Sequence, residues 1–279
     1  MEYAVKTPPQ HGTWQEFLDV WRATDECEAF AQAWNFDHFY PLVGDTHGPC
    51  LESWTMLAAL AQATSRIRLG SMVNGMHYRH PALTANMAAT VDIISGGRFD
   101  LGMGAGWNEE ESNAYGMELG TITERLDRFE EGIEVIVRLL SQEVTDFQGR
   151  YFTITDARCE PKPVQRPHPP LLIGGSGRKR TLKVVARWAQ RWDGGFGSVS
   201  SWRASNEALI GHCAAFGRDH TEIARTLHLP WEAGADPSAL ADKAAELGEL
   251  GIDQVIFSMR GPYVAAEVEP LGAEILKRL

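Results

Sequence analysis

Eight short runs rich in aromatic, aliphatic and β-branched residues alternate with longer segments of helical period along the whole chain. Strand, helix and strand in repetition predict a parallel sheet and an α/β fold. Eight such units close into a (β/α)8 TIM barrel, which ordinarily takes about 250 residues, so the 279 residues favour one domain over 1–279. The predicted strands are Tyr3–Lys6, Phe36–Tyr40, Ile67–Val73, Phe99–Gly104, Leu171–Gly174, Trp192–Phe196, Arg225–Trp231 and Gln254–Ser258.

The segments between these strands carry apolar residues at helical spacing. Ser95-Gly96-Gly97 ends one helix with residues that tolerate positive φ, and Asp236-Pro237 begins another with a cap and a first-turn proline. The predicted helices are Trp14–Trp34, Leu51–Thr64, Ala82–Ile94, Thr121–Leu140, Arg178–Trp188, Trp202–Phe216 and Pro237–Leu250.

One stretch after the fourth strand interrupts the alternation. Val144–Thr155 contains two short β-rich runs around Gln148-Gly149-Arg150, and a proline-rich connector over 161–170 follows. The pattern predicts a β-hairpin inserted at the surface of the barrel.

Charge and composition narrow the classes of partner. The formal net charge of −11 disfavours general attraction to nucleic acid or anionic membrane. No apolar run approaches the roughly 20 residues of a membrane span, and the first ten residues lack a signal pattern, so a cytoplasmic protein is expected. The four cysteines are far apart, which predicts reduced thiols and no metal site.

The turn after the fifth strand is the strongest candidate binding site. Gly174-Gly175-Ser176-Gly177 allows close backbone approach, and Arg178-Lys179-Arg180 follow at the start of a predicted helix. Amide donors at a helix N-terminus bind anions, whereas cations there oppose the helix dipole unless an anion is present. The turn therefore predicts a phosphate site.

Three other strand ends supply groups that suit a planar ring, because parallel barrels form their active sites at the carboxyl ends of the strands. Asp37-His38 places an imidazole at the barrel mouth, where it could transfer a proton. The third strand end, from Ser71 to Pro81, mixes apolar and hydrogen-bonding groups. Gly104-Ala105-Gly106-Trp107 combines small residues with a rigid indole wall.

The predicted strand ends lack the residues that two other catalytic chemistries require. Lys6 is the one lysine at a predicted strand end, and no pair of carboxylates lies at two strand ends. Schiff-base and glycosidase chemistry are thereby disfavoured. A phosphosugar lyase or isomerase without a redox cofactor is disfavoured for the same reason, while a barrel that binds a flavin without catalysis stays open.

The sequence resembles the luciferase-like monooxygenase superfamily, most closely the branch of oxidoreductases that use the deazaflavin coenzyme F420. The resemblance runs through nearly the whole chain. It is carried by Phe36-Asp-His-Phe39, Thr64-x-Arg-Ile-Arg-Leu-Gly70, Tyr78-Arg-His-Pro-Ala82, Ser95-Gly-Gly-Arg98, Leu101-Gly-x-Gly-Ala-Gly-Trp107, Pro161-Lys-Pro163 and Ile173-Gly-Gly175.

The resemblance implies a cofactor ring at the barrel mouth, with its phosphate at the turn after the fifth strand. It makes His38 the group near hydride transfer, oriented or buffered by Asp37, and places a non-proline cis peptide between Ser71 and Met72. The implied cofactor contacts are Ser71, Met72, Asn74, Gly104, Ala105, Gly106, Trp107, Gly174, Gly175, Ser176, Gly177, Arg178 and Phe196. Gly197 and Ser198, which follow Phe196, are further candidates.

Two features depart from the family pattern. Trp107 stands where some members carry a catalytic glutamate, and Ala189-Gln-Arg-Trp-Asp-Gly194 replaces the usual Ala-Asp-Gly-Trp. The implied function is F420-dependent hydride transfer to or from a small organic molecule. The alternative is an FMN-dependent monooxygenase supplied by a separate reductase, and the family also makes a homodimer plausible.

Overall fold

The computed structural model describes residues 1–196 and 198–279 and contains a closed parallel barrel. The sheet order is β3-β2-β1-β11-β10-β9-β8-β5-β4, and β3 also pairs with β5 to close the ring. The strands are β1 (Glu2–Lys6), β2 (Gln32–Asn35), β3 (Arg68–Ser71), β4 (Asn74–Gly75), β5 (Phe99–Gly104), β6 (Thr145–Gln148), β7 (Thr153–Ala157), β8 (Leu171–Gly174), β9 (Arg191–Asp193), β10 (Ala224–Trp231) and β11 (Gln254–Met259).

Helices surround the barrel and connect its strands. Thr13 caps the first with a reciprocal capping box to Glu16, and Thr121 caps the longest in the same way with Glu124. The helices are α1 (Trp14–Glu26), α2 (Ser53–Ala63), α3 (Pro81–Ile94), α4 (Glu109–Ala114), α5 (Ile122–Ser141), α6 (Thr181–Trp188), α7 (Val199–Phe216), α8 (Pro237–Glu249) and α9 (Val268–Leu276).

The predicted (β/α)8 barrel is confirmed, and β6 and β7 form the predicted antiparallel hairpin after its fourth strand. Two predicted elements differ most from the structure. The second strand is Gln32–Asn35, not Phe36–Tyr40, and the first helix ends at Glu26, so it does not reach Trp34. The aromatic residues after Asn35 resemble a strand, but they form the loop that carries the candidate site.

The inside of the barrel is layered by the two-residue alternation of its strands. At the amino-terminal end, Asp100 accepts a hydrogen bond of 2.8 Å from Gln32 Nε2 and pairs with Arg68 and Arg191. Above this polar plug lies an apolar cluster of Ala4, Trp34, Met72, Leu172 and Ile256. The alternation then directs Lys6 and Ser258, two residues beyond Ala4 and Ile256, into the mouth.

Candidate active site

A cavity of about 630 Å³ opens at the carboxyl ends of the strands. This volume is ordinary for a site that holds a drug-sized ligand or cofactor. The walls combine apolar side chains, glycines and a few polar groups. They are Lys6, Phe36, Asp37, His38, Leu42, Met72, Val73, Gly75, Tyr78, Gly104, Ala105, Gly106, Trp107, Ile122, Arg125, Leu126, Gly174, Gly175, Gly177, Thr181, Asp193 and Phe196.

His38 is held by a carboxylate from α4, the short helix after the fourth barrel strand. Its Nδ1 lies 2.7 Å from Oε2 of Glu111, which is fully buried and also accepts hydrogen bonds from the Phe39 amide, at 2.6 Å, and from the Tyr78 hydroxyl. Burial opposes ionisation of Glu111, but these three donors outweigh it and lower the pKa of Glu111. The carboxylate therefore keeps a proton on Nδ1 and leaves Nε2 free to accept one.

Tyr78 completes this cluster as a donor. Burial and the hydrogen bond to Glu111 raise the pKa of Tyr78 well above its usual range, so its hydroxyl stays protonated. The ring of Trp107 lies 5.7 Å from that of His38 and covers it from the rim. Sequence reasoning missed Glu111, which offered no signal beyond its place as one of three consecutive glutamates.

Asp37 does not orient His38, contrary to the expectation from the resemblance. Its carboxylate accepts hydrogen bonds from both terminal nitrogens of Arg79, at 2.5 and 3.0 Å, and Arg79 also donates a hydrogen bond to Glu52 at 2.8 Å. Asp37 is buried and lines the cavity, but its hydrogen bonds fix the loop after β2 to the segment after β4. Glu111 takes the orienting position instead.

The third strand contributes fewer cavity contacts than predicted. Met72 lines the cavity, whereas Ser71 and Asn74 do not; Ser71 Oγ accepts from Ser53, and Asn74 Nδ2 donates to the Gly102 carbonyl at 2.7 Å. The non-proline cis peptide joins Met72 and Val73, so its predicted place between Ser71 and Met72 is wrong by one residue.

The turn after β5 forms one wall as predicted from its small residues. Gly104, Ala105, Gly106 and Trp107 all line the cavity. A Cβ at Gly104 would lie 2.6 Å from Val73, and Gly106 has φ +87°, so both positions require glycine.

The glycine turn after β8 faces the same cavity. Gly174, Gly175 and Gly177 line it, whereas Ser176 and Arg178 are exposed and lie outside its walls. The Gly175 amide is used by the sheet, since it donates to the Asp193 carbonyl at 3.1 Å. The amides of Ser176 and Gly177 have no hydrogen-bond partner among the described residues.

The helix after this turn begins at Thr181, three residues later than predicted. Its N-cap, Arg180, provides no side-chain cap; the Leu182 amide donates to the Gly177 carbonyl at 3.1 Å, whereas the Thr181 amide has no hydrogen-bond partner among the described residues. Arg180 pairs with Asp127 and is thereby withdrawn from ligand binding. Amides, more than the three basic residues, are therefore the donors that this turn offers to an anion.

Arg125 is a cation that sequence reasoning assigned to a solvated helix face. It lies on α5, one turn after the helix starts, and lines the cavity together with Ile122 and Leu126. Across the described ranges its guanidinium has no ion pair. Because it lines the same cavity as Gly177 and Thr181, it is a candidate phosphate ligand.

Phe196 lines the cavity as predicted, and its ring lies 4.6 Å from that of His228. Ser198 instead caps α7 by accepting from the Ser201 amide, and Gly197 lies outside the described residues. The four cysteines are free thiols, as expected. In the described part of the chain, no group of three or more metal-ligating side chains is present, and no helix is long and apolar enough to cross a bilayer.

These residues fit a phosphorylated tricyclic ring. Met72, Val73, Ala105, Ile122 and Leu126 supply apolar walls for the ring, while the unpaired amides of the glycine turn and the Arg125 guanidinium supply donors for a phosphate. A cavity at the barrel mouth with apolar walls and free donors for an anion is suited to a flavin or deazaflavin cofactor.

Comparison with known proteins agrees with this class. A profile of the luciferase-like monooxygenase family matches residues 1–269, and the chain belongs to that family, whose members are oxidoreductases. An uncharacterized protein of Mycobacterium tuberculosis is 32% identical over 85% of this chain and 82% of its own length. Pyrimidine monooxygenase RutA of Agrobacterium fabrum is 29% identical over 78% of this chain and 65% of its own.

Solved structures show the same fold at low identity. An F420-dependent secondary alcohol dehydrogenase, solved with an F420-acetone adduct, superposes with a TM-score of 0.88 at 17% identity, covering 99% of this chain and 98% of the other. Coenzyme F420 dependent tetrahydromethanopterin reductase from Methanopyrus kandleri gives 0.84 at 18%, covering 99% of each chain.

Proposed function

We propose that this protein is an F420-dependent oxidoreductase that transfers a hydride between the deazaflavin and a small organic substrate. The observation that carries the proposal is the His38–Glu111 pair at the wall of the ring cavity, 2.7 Å apart. F420-dependent enzymes among proteins of the same fold support the choice of cofactor.

His38, Glu111 and Tyr78 would manage the proton that accompanies hydride transfer. When bound, the deazaflavin supplies a two-electron acceptor or donor at its central-ring carbon. His38 takes the substrate proton at Nε2 in the oxidation direction and returns it in the reverse direction. The Glu111 carboxylate stabilises the imidazolium that forms, and Tyr78 holds that carboxylate in place.

Other residues would bind and shield the cofactor. Val73 packs closely against Gly104 and Gly174 in the cavity wall, and the absence of side chains at the two glycines leaves room for a ring to approach the backbone. The amides of Ser176 and Gly177 and the Arg125 guanidinium would hold the phosphate. Arg178 and Lys179 are exposed beyond the turn and would meet the acidic tail that distinguishes F420.

The second candidate function is FMN-dependent oxygen activation with a separate reductase, which the sequence identity to pyrimidine monooxygenase RutA favours. Both cofactors present a tricyclic ring and a phosphate to the same groups. Titration of the purified protein with F420 and with FMN, followed by tryptophan fluorescence, separates them. Tight binding of F420 supports the first proposal, and tight binding of FMN alone supports the second.

The catalytic proposal is tested with His38→Ala. With F420 bound, a panel of secondary alcohols is screened for bleaching of the deazaflavin absorbance, and active compounds are then used to compare variants. We expect turnover to fall by roughly 10²- to 10⁴-fold, the usual contribution of a proton-transfer group, with unchanged F420 affinity. His47→Ala, in an exposed loop, is the control. Unchanged turnover in His38→Ala would refute the role.

A further inference from the structure

A second cavity of about 680 Å³ adjoins the ring cavity at the barrel mouth. The two share four residues, Lys6, Phe36, Leu42 and Phe196, which form the boundary between them. The second cavity extends over the ends of β1 and β11, away from the phosphate turn. A substrate placed there would lie beside a ring bound in the first cavity.

Lys6 is the unusual group in this boundary. Its side chain enters both cavities, although the residue is only 8% exposed. Throughout residues 1–196 and 198–279, its ammonium has neither an ion pair nor a hydrogen bond. A buried charge without a partner is costly, and proteins seldom keep one without a functional reason.

The charged groups facing Lys6 do not neutralise it directly. Asp193, on β9, is the carboxylate whose charge opposes the effect of burial on the pKa of Lys6, but its Oδ1 accepts hydrogen bonds from the Gly195 amide at 3.1 Å and from Thr226 Oγ1 at 3.0 Å and lies 3.1 Å from His228 Nε2. Burial lowers the pKa of His228, so its imidazole is neutral at pH 7. These donors all lie at Asp193 Oδ1, whereas Asp193 Oδ2 makes no hydrogen bond among the described residues. The Lys6 ammonium makes no ion pair with either oxygen within the described ranges and remains available.

Ser258 lies next to Lys6 by strand register. The two residues are Cα partners in the β1–β11 ladder, and both side chains line the second cavity. Ser258 is 6% exposed, and its hydroxyl makes no hydrogen bond within the described residues. An ammonium and a hydroxyl side by side, both without partners, suit the two oxygens of a carboxylate.

Several other polar groups of the second cavity already have partners. The Tyr263 hydroxyl donates to the Pro8 carbonyl at 2.6 Å, Gln10 Oε1 accepts from the Leu42 amide at 2.8 Å, and Arg260 pairs with Glu232 at 2.7 Å. The remaining walls include Phe36, Leu42, Phe196 and Met259 and are apolar.

We infer that the second cavity is the substrate pocket, and that Lys6 and Ser258 bind the carboxylate of a small, mainly apolar organic acid. This inference rests on the proposed function in one respect, since it takes the neighbouring cavity to hold the cofactor ring. Carboxylate binding itself is independent of the cofactor and can be measured without it.

The probes are butyrate, cyclohexanecarboxylate and benzoate, each compared with its uncharged amide, in calorimetric titrations of the cofactor-free protein. We expect the protein to prefer at least one acid over its amide. Lys6→Met should lower the affinity for that acid by about tenfold or more, and Ser258→Ala should lower it by roughly two- to tenfold, as expected for a charged and a neutral hydrogen bond. Neither change should affect the amide. Lys243→Met, on the exposed face of α8, is the control.

Equal binding of acids and amides, no binding of any acid, or undiminished acid affinity in Lys6→Met would overturn the inference. F420 titration of the same variants separates it from the proposed function. Retained F420 affinity with loss of acid binding in Lys6→Met supports the inference. Absence of F420 binding by the unmodified protein counts against the proposed function, and the acid titrations then decide the role of Lys6 on their own.

Discussion

Replacement of Lys6 by methionine should stabilise the fold at neutral pH. Burial lowers the pKa of Lys6 from its ordinary 10.5 to about 8, against the attraction of Asp193. Each pKa unit corresponds to about 1.4 kcal/mol, so holding the charged side chain in the barrel costs about 3 kcal/mol below pH 8. Methionine is close in length and carries no charge, and Lys6→Met should recover much of this free energy of unfolding.

The stability gained by Lys6→Met should depend on pH. Between about pH 8 and 10.5 the unfolded chain binds the Lys6 proton and the folded chain does not, so the stability of the unmodified protein rises with pH in this window. The advantage of Lys6→Met should therefore be largest below pH 8 and should vanish as the pH approaches 10.5. Other titrating groups are common to both proteins and cancel in the difference.

Urea unfolding at pH 7 and pH 10, followed by tryptophan fluorescence, measures both quantities. Lys243→Met serves as the control, because that lysine is exposed and its removal should change little at either pH. A lower stability of Lys6→Met at pH 7, or a difference that does not shrink with rising pH, would show that Lys6 is satisfied in the fold. Residues that serve function often lower the stability of the fold, so a substitution that removes such a residue commonly stabilises the protein while impairing its function.

Glu111→Gln should lower turnover by roughly 10²-fold without lowering the affinity for F420, because an amide replaces the carboxylate that holds His38. Glu110→Gln, exposed on the same helix, is the control, and an equal loss of turnover in both variants would contradict the pairing. Arg125→Met should lower the affinities for F420 and for FMN alike by about tenfold or more, because the phosphate is common to both cofactors. This loss of affinity should shrink as the salt concentration rises. Arg138→Met, whose side chain pairs with Glu134 on the same helix, should leave both affinities unchanged, and selective loss of one cofactor would place Arg125 elsewhere than at the phosphate.

The barrel could be predicted from the sequence because its signal is repeated eight times. The second strand was misplaced because Gln32 and Asn35 are polar yet buried: Gln32 points into the barrel and binds Asp100, whereas Asn35 points to the opposite face and donates to the Ser53 carbonyl at the start of α2. Their partners lie far away in sequence, so the segment lacks an apolar pattern. No glycine or proline marks the end of the first helix at Glu26, and its helical period was extended too far.

The site was predictable where glycine turns follow strands, and less so where side chains meet across loops. Glu111 reaches His38 across 73 positions of sequence, and only closure of the barrel brings them together. Arg125 has the spacing of a surface helix, and its role depends on how α5 packs against the mouth. Lys6 was visible as a strand-end lysine, but the lack of a partner, which makes it informative, is a property of the folded chain.

A crystal structure of the protein with F420 tests the central claim most directly. The account predicts the deazaflavin ring in the cavity between Val73, Gly104 and Gly174, with His38 at its edge and the phosphate bonded to the amides of Ser176 and Gly177. A ring bound outside this cavity, or a phosphate that contacts neither amide, would contradict it.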